Sequence, residues 1–464
     1  MSSNSIEIKG LDVQDGRIII KNLQLLREEG IDKLIENLIF EESLQKKADY
    51  ASLIWNAASQ CGVYPASIHD LYRAMGRGEV SGFTVPAMNL RMLSYDAARA
   101  VYRVAKKINA GAFIFEIARS EMGYTSQRPV EYVAVCLAAA VKEGYQGAVF
   151  IQGDHFQLKL KDYQDNKEQA LFEIKKLITE AIHAGFYNID IDASTLVDLS
   201  KGSLEEQQYN NYWVTAELTK YIRNQEIEGI TVSVGGEIGE VGGRNSTPED
   251  LHAFMQGYLK ELQGSCESIS KISVQTGTTH GGVVLPDGTV AEVKVDFETL
   301  KSLSQIARAE YEMAGAVQHG ASTLPQEAFH KFPETTAAEI HLATQFQNIV
   351  YENMPEDLKN KIYGWLKENF KSAWKEGQTE EQFLYKVRKQ ALGEFKQEIF
   401  CMGNDARDKI ARKLEEKFAF LFQQLKVENT KEIIDKYIKS VEVSKKAADL
   451  LPPELVDAQF DGAD

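Results

Sequence analysis

The sequence predicts an α/β protein whose centre is a (β/α)8 barrel, the TIM-barrel architecture, with a helical extension at each end. Eight short apolar segments recur from Phe83 onwards, and most of the gaps between them have the spacing of amphipathic helices. A doubly wound sheet is the alternative arrangement. Because no GxGxxG motif follows the first apolar segment, the barrel is favoured.

Each of the eight predicted strands is a short apolar run. In chain order they are FTVPAMN, AFIFEIA, AVFIQGD, NIDIDAS, TVSVGGE, KISVQTG, AVQHG and EIHLAT. Helical patterns such as SYDAARAVYRVAKKINA and PVEYVAVCLAAAVKEG separate them. This alternation predicts a parallel sheet that closes on itself.

Changes in the residue pattern predict three regions. Residues 1–65 are charged and amphipathic and are predicted to form an N-terminal helical extension. Residues 66–350 carry the alternating pattern and form the catalytic barrel domain. Residues 351–464 are charged and helical in pattern, and they form a C-terminal helical region that ends in a loose tail.

Composition narrows the classes of function. The 464 residues carry a net charge of -16 at pH 7, and the acidic excess is spread along the chain, which argues against nucleic-acid binding. No apolar run is long enough to span a membrane, and the first ten residues lack the pattern of a secretory signal. The four scattered cysteines suit a reducing compartment. We therefore expect a soluble, cytoplasmic protein that binds neither nucleic acid nor a membrane.

Three of the eight histidines fall where predicted strands end. Barrel enzymes carry their active sites at the carboxyl ends of the strands, so His155, His280 and His319 are expected to converge on one rim. Three imidazoles suit a divalent transition metal, most often Zn2+, with an open position for catalysis. Glu237, at the end of the fifth strand, is a fourth or alternating ligand. For any one of these histidines, a hydrogen-bonded rim residue is the alternative.

Asp154 stands beside His155 at the end of the third strand. Neighbouring strand residues point to opposite faces, so both reach the site only where the strand breaks into its loop, which Gly153 favours. We interpret His155 as a metal ligand and Asp154 as the group that exchanges a proton with the substrate. The alternative is that Asp154 orients a neighbouring group.

Glycines follow two of the three histidines. The stretches HGG, at His280, and HGAS, at His319, allow backbone amides to approach a ligand, and HGAS adds the hydroxyl of Ser322. Late loops of barrels commonly bind phosphate in this way. Ordinary turn glycines are the alternative.

These residues, in this order, resemble the class II, zinc-dependent fructose- and tagatose-bisphosphate aldolases. The likeness rests on GDH at the third strand, EIGEVGG starting at Glu237, the His-Gly pair at His280 and the HGAS stretch at His319. It implies that Asp154 is the catalytic acid and that His155 and the two later histidines hold zinc.

The resemblance covers roughly residues 66–350 and also implies how a small sugar phosphate is bound. It places Asp192 in the outer shell of the metal and allows a monovalent cation near the phosphate. Because members of this family are commonly dimers or tetramers, a homo-oligomer is expected. The substrate and phosphate contacts that it implies are Asn89, Gly281, Gly320, Ser322, His341 and Thr344.

The implied reaction is cleavage or formation of a ketose phosphate or bisphosphate through an enediolate that zinc stabilises. The chain departs from the family pattern after EIGEVGG, where Arg244 and Asn245 stand in place of the usual proton-abstracting acid. Glu240 is the nearest acid in that loop, and Arg244 could instead bind a second phosphate or a carboxylate. Strand eight has His341 where asparagine is usual.

These departures leave two alternatives open. One is an aldolase-like accessory subunit without turnover, which the missing loop acid favours and the three histidines oppose. The other is a metal-dependent sugar-phosphate epimerase or isomerase on the same barrel, which would use the same metal and a second acid.

Overall fold

The computed structural model describes residues 8–14, 17–239, 243–277 and 294–452. Three strands precede the barrel, namely β1 (Leu11–Gln14), β2 (Arg17–Ile20) and β3 (Val63–Ala66). Eight parallel strands then form the barrel, and each overlaps one of the eight predicted apolar segments. They are β4 (Val85–Asn89), β5 (Ile114–Ala118), β6 (Gly147–Gln157), β7 (Asn188–Asp192), β8 (Ser233–Glu237), β9 (Lys271–Val274), β10 (Ala316–Gln318) and β11 (Glu339–Leu342).

The eight barrel strands pair in chain order and the sheet closes on itself, which confirms the predicted (β/α)8 architecture. The closure is made by β11 and β4, where Ile340 lies opposite Pro86. Almost every residue of these strands is buried, because helices cover the outer face of the sheet and side chains fill its interior. This double burial explains why the strands are nearly continuous apolar runs in the sequence.

Helices surround the barrel and form most of both ends of the chain. The helices before β4 are α1 (Leu23–Leu25), α2 (Ile31–Phe40), α3 (Leu44–Gln60) and α4 (His69–Gly76). Those between barrel strands are α5 (Ser94–Lys107), α6 (Arg119–Tyr124), α7 (Pro129–Glu143), α8 (Leu160–Asp165), α9 (Lys167–Ala184), α10 (Leu204–Gln225), α11 (Pro248–Leu262), α12 (Phe297–Tyr311) and α13 (Lys331–Glu334). Those after β11 are α14 (Thr344–Asn353), α15 (Glu356–Asn369), α16 (Glu380–Val387), α17 (Lys396–Phe400), α18 (Asn404–Gln424) and α19 (Lys431–Tyr437).

The N-terminal region contains strands as well as helices, whereas the sequence analysis predicted a helical extension. Strands β1 and β2 pair antiparallel, and the segment LDVQDGRIII carries an Asp-Gly pair between its apolar runs, which is the signal of a tight hairpin. Strand β3 pairs in parallel with the first half of β6, with Val63 opposite Gly147. The predicted boundary between residues 65 and 66 therefore falls inside a strand that extends the barrel sheet.

The C-terminal helices pack directly on the barrel. Helix α18 lies against α5, where Arg103 forms an ion pair with Glu415 over 2.7 Å. The ring of Phe422, which is fully buried, stacks on Phe113 with centroids 5.6 Å apart. The division of the chain into three regions remains a prediction, and these contacts show that the last two share a core.

Among the residues that the structure describes, no helix combines the length and the apolar character that crossing a membrane requires.

Candidate active site

A cavity of about 360 Å³ opens at the carboxyl ends of the barrel strands. Side chains from several strands and their following loops meet there, as is usual for enzymes with this fold. The predicted site residues that line it are Asp154, His155, His319, Gly320, Ser322, His341 and Thr344.

An irregularity in β6 brings Asp154 and His155 to the cavity together. The pairing of β6 with β7 slips between Gly153 and Phe156, and His155 has a left-handed backbone with φ of 43°. A side chain at Gly153 would lie 2.4 Å from the Phe156 ring, so the close approach of that ring requires glycine. Because the strand loses its regular alternation here, neighbouring side chains reach the same cavity.

Asp192, at the end of β7, holds the imidazole of His155. Nδ1 of His155 donates to Oδ2 of Asp192 over 3.0 Å, and Gln157 donates to the same oxygen over 2.6 Å. Ser194 donates to Oδ1 from its backbone and its hydroxyl. Burial raises the pKa of Asp192, but these hydrogen bonds outweigh burial and leave the pKa below its usual value. A carboxylate in this position fixes the tautomer of a metal-binding histidine, which is the outer-shell role predicted for Asp192.

His155, His319 and Glu237 form a group with the donors that a metal ion needs. One ligand atom from each lies within 4.8 Å of the other two. Oε2 of Glu237 is 3.5 Å from Nε2 of His319 and 3.8 Å from Nδ1 of His155, the nitrogen that is bonded to Asp192, so Nε2 is the donor that His155 offers a metal. Two imidazoles and a carboxylate suit a divalent transition metal, so these residues fit the predicted ion. His280, the third predicted histidine ligand, and Gly281 lie outside the described residues.

His341 lies among carboxylates. Its Nδ1 is 3.0 Å from Oε2 of Glu116 and 3.2 Å from Oδ1 of Asp154, and its Nε2 is 2.6 Å from Oε1 of Glu339. Burial lowers the pKa of His341, but the carboxylates outweigh burial and raise the pKa well above its usual value. The carboxyl groups on both sides of the ring therefore favour its protonated form. Its predicted contact with phosphate stays a prediction.

A lysine at the start of β9 is buried inside the barrel. Nζ of Lys271 donates to Gln152 over 2.6 Å, to Glu339 over 2.7 Å and to Asp190 over 3.0 Å. The hydroxyl of Tyr72 donates to the second oxygen of Glu339. The barrel interior thus contains a charged network whose groups are paired, in place of the branched apolar layers common in this fold.

Glu116, on β5, connects this network to the cavity. Its Oε2 accepts a hydrogen bond from Gln152 over 3.1 Å, and the residue lines the cavity beside Asp154. Burial raises the pKa of Glu116 to about 7, and Asp154 adds to the rise, whereas His341 opposes it. The cavity therefore has a second carboxyl group that gains and loses a proton near neutral pH.

The sequence analysis missed this interior network. A signal for it was present, because each of its main members places a polar or charged side chain within or at the start of an apolar strand segment. Such a residue in a strand buried on both faces requires a partner inside the barrel. The residues concerned are Glu116, Gln152, Lys271 and Glu339.

The residues predicted to bind phosphate form one wall of the cavity. Gly320 has φ of 70°, a conformation that favours glycine. The hydroxyl of Ser322 accepts the backbone N–H of Ala343 over 2.8 Å, and within the described ranges no acceptor is found for its own hydrogen. Thr344 begins α14, where backbone N–H groups lack partners within the helix. This wall has the donors that an anion needs.

Asn89, a predicted substrate contact, lies behind the cavity wall and does not line the cavity. Its side chain donates to Glu121 and accepts from Nε of Arg91 over 3.1 Å. Arg91 also pairs with Glu121 over 2.5 Å and does line the cavity. In this structure Asn89 therefore orients Arg91, and its contact with substrate stays a prediction.

The loop after β8 contains Glu240, the acid nearest to the place of the missing base, which the sequence analysis left unassigned. Glu240 lies outside the described residues. The guanidinium of Arg244 donates to both carboxylate oxygens of Asp250 over 2.6 and 2.8 Å. Asp250 lies in the first turn of α11. A role for Arg244 in binding a second phosphate or a carboxylate would require this pair to separate.

The fold and part of the sequence are shared with known proteins. The model of the class-II fructose-bisphosphate aldolase family matches residues 70–421, a span that includes much of the C-terminal helical region. No curated protein sequence matches this chain.

Three solved structures are similar to this chain, and the two with TM-scores above 0.5 share its fold. A probable tagatose 6 phosphate kinase from Sinorhizobium meliloti 1021 is 15% identical with a TM-score of 0.53, and the match covers 80% of this chain and 96% of that one. A fructuronate-tagaturonate epimerase from Cohnella laeviribosi is 13% identical with a TM-score of 0.51, covering 93% and 95%. A fructose-bisphosphate aldolase from Campylobacter jejuni is 17% identical with a TM-score of 0.48, covering 79% and 97%. At these identities the likeness shows the fold alone, but since the family model spans most of the chain, this protein belongs to the class-II fructose-bisphosphate aldolase family.

Proposed function

We propose that this protein is a metal-dependent aldolase that cleaves or forms a carbon–carbon bond of a ketose phosphate. The observation that carries the proposal is the convergence of His155, His319 and Glu237 beside Asp154 at the carboxyl ends of the strands. Membership of the class-II aldolase family supports the same chemistry, because that family is generally metal-dependent.

His155, His319 and Glu237 would hold a divalent cation, and Zn2+ is the first choice for imidazole and carboxylate donors. When bound, such a cation supplies a Lewis acid for the carbonyl oxygen of the substrate. Asp192 accepts the Nδ1 hydrogen of His155, which leaves Nε2 as the nitrogen able to bind a metal.

Asp154 accepts and returns the proton of the substrate hydroxyl next to the carbon–carbon bond that breaks. In cleavage the carboxylate of Asp154 accepts the proton of the C4 hydroxyl. The C3–C4 bond breaks, and C4 becomes the carbon of the aldehyde product. The bonding electron pair stays with the ketose fragment. In condensation the same carboxyl group returns the proton to the new hydroxyl. The imidazolium of His341, 3.2 Å from Oδ1, stabilises the carboxylate form of Asp154.

An epimerase acting on a sugar phosphate is a second candidate. The observation that favours it is Glu116, which gives the cavity a second carboxyl group that exchanges protons near neutrality. The Cohnella laeviribosi epimerase also matches the fold over 93% of this chain. An accessory subunit without turnover is a weaker candidate, because it would not need a set of metal donors in an open cavity.

The test measures metal content and products together. Purified protein would be analysed for divalent metals and assayed with fructose and tagatose bisphosphates, beside His319→Ala and a control, His252→Ala. His252 lies on α11 with Nδ1 2.8 Å from the hydroxyl of Tyr311, and it does not line the cavity. We expect one bound metal ion and release of triose phosphate in the wild type and in His252→Ala, and the loss of both in His319→Ala.

Other results would separate the candidates. Bound metal with an epimerised product and no triose phosphate would replace the aldolase proposal with the epimerase. Protein that binds no added divalent metal would refute the ligand set and leave the accessory subunit.

A further inference from the structure

The cavity wall includes a lysine from outside the barrel. Lys389 belongs to the short 3-10 helix Arg388–Ala391 in the C-terminal region, and it lines the cavity together with Ser322 and Thr344. It therefore lines the same cavity as the residues predicted to bind phosphate, although it is distant from them in sequence.

Contacts on both sides hold this segment against the barrel. The backbone N–H of Gly393 donates to the carbonyl of Tyr124, on the cavity wall, over 2.8 Å. On the other side, the hydroxyl of Tyr351 donates to the carbonyl of Arg388 over 2.9 Å. The backbone of Lys389 lies between these two anchors, so the position of its side chain at the cavity is built into the fold.

The amino group of Lys389 forms no close ion pair within the part of the chain that the structure describes. Arg91 also lines the cavity, but its guanidinium is paired with Glu121 over 2.5 Å. Nζ of Lys389 lies 5.7 Å from the ring centroid of Tyr124, and no carboxylate within 4 Å is found for it in residues 8–14, 17–239, 243–277 and 294–452. Lys389 is exposed at the cavity mouth, and partial burial and repulsion by Arg91 lower its pKa, whereas attraction by Glu121 raises it.

We propose that Lys389 binds the anionic group of the substrate, a phosphate or a carboxylate, in the part of the cavity that it shares with Ser322 and Thr344. An ammonium group attracts such oxygens, and the serine hydroxyl and the start of α14 add hydrogen-bond donors. The barrel segment HGGVVLPDG that follows β9 contains no lysine or arginine. The positive charge for an anion is therefore supplied by Lys389 of the C-terminal region and not by this segment. The inference rests on the proposed function for the location of the site.

The experiment measures anion binding and does not depend on turnover. Binding of inorganic phosphate and of acetate to the full chain would be followed by titration calorimetry, with Lys389→Met, Lys389→Arg and a control, Lys386→Met. Lys386 is an exposed residue of α16, three positions earlier, that does not line the cavity. Thermal unfolding of each variant would verify that it is folded.

We expect Lys389→Met to weaken binding of the preferred anion about tenfold, as for loss of one charged hydrogen bond. Lys389→Arg should restore most of that affinity, and Lys386→Met should bind as the wild type does. A preference for phosphate would identify a phosphate ester as the bound group, and a preference for acetate a carboxylate.

Several results would overturn the inference. They are wild-type affinity in Lys389→Met, equal weakening in Lys386→Met, and failure of the wild type to bind either anion. Anion binding that depends on Lys389 in a protein without metal or cleavage activity would refute the proposed function and keep this site.

Discussion

His155 and Asp192 form a hydrogen-bonded pair at the rim of the barrel, with Nδ1 of the imidazole 3.0 Å from Oδ2 of the carboxylate. The pair joins the ends of two neighbouring strands, β6 and β7. Gln157 and Ser194 hold the carboxylate in turn, so its orientation is set before any metal binds. A carboxylate behind a histidine ligand fixes the ring and raises its basicity, which links this pair to metal affinity.

Asp192→Asn should lower the affinity of the protein for its divalent metal by about 10- to 100-fold, the usual effect of removing a partner behind a histidine ligand. Competition between the metal-free protein and a chromogenic chelator would measure it. The matched control is Asp198→Asn, which makes the same change at a residue whose side chain is 44% exposed and bonded to Ser200. Equal metal affinity in Asp192→Asn and the wild type would show that the pair does not support a metal site.

Lys271→Met should reduce the free energy of unfolding by about 3–5 kcal/mol, the range for removing one partner of a buried ion pair. The change leaves the carboxylates of Asp190 and Glu339 inside the barrel without their shared cation. Denaturant unfolding would measure the loss. Lys33→Met is the control, because Lys33 and Glu36 form an exposed pair that should contribute little. Similar losses in the two variants would mean that water reaches the carboxylates inside the barrel.

The barrel could be predicted from the sequence because parallel strands are covered on both faces and are therefore continuous apolar runs. The Asp154–His155 pair could also be predicted, since both residues fall where such a run ends. The hairpin of β1 and β2 was missed although LDVQDGRIII carries its signal. The segments on either side are charged and amphipathic, a pattern typical of helices.

Apolar runs could not predict which charges pair in the interior network, nor that the C-terminal region contributes a side chain to the cavity. Lys271 and Glu339 are partners from strands 68 residues apart, and one sequence does not show which buried charges meet. Lys389 lies in a charged helical region whose local pattern is that of a solvated surface. Its place at the cavity follows only from the packing of that region on the barrel.

Glu116 should make the metal-free protein less stable as the pH rises through about 7. Its folded pKa of about 7 lies above the ordinary 4.5, so its stabilising contribution is complete below pH 4.5 and is lost as the pH rises through the folded value. The shift corresponds to about 3 kcal/mol at most. The groups that face the carboxyl group are His341, Asp154, Glu339 and Gln152.

Glu116→Gln should therefore flatten the dependence of unfolding free energy on pH between 5 and 8. Denaturant titrations in the presence of a chelator would measure this dependence for the wild type, for Glu116→Gln and for Glu168→Gln, an exposed residue of α9. If the slope for Glu116→Gln equals that of the wild type, another group is responsible for the dependence.

Phe422→Ala should destabilise the whole protein by about 3–5 kcal/mol, because a fully buried ring is removed from the junction of the C-terminal region and the barrel. Phe422 stacks on Phe113, which precedes β5, so the loss falls on a core that both regions share. We expect one cooperative thermal transition, shifted to lower temperature, by far-UV and near-UV circular dichroism. Gln423→Ala, at the exposed neighbouring position, should leave the transition unchanged. Two separate transitions, with only one of them shifted in Phe422→Ala, would instead show that the C-terminal helices unfold as an independent domain.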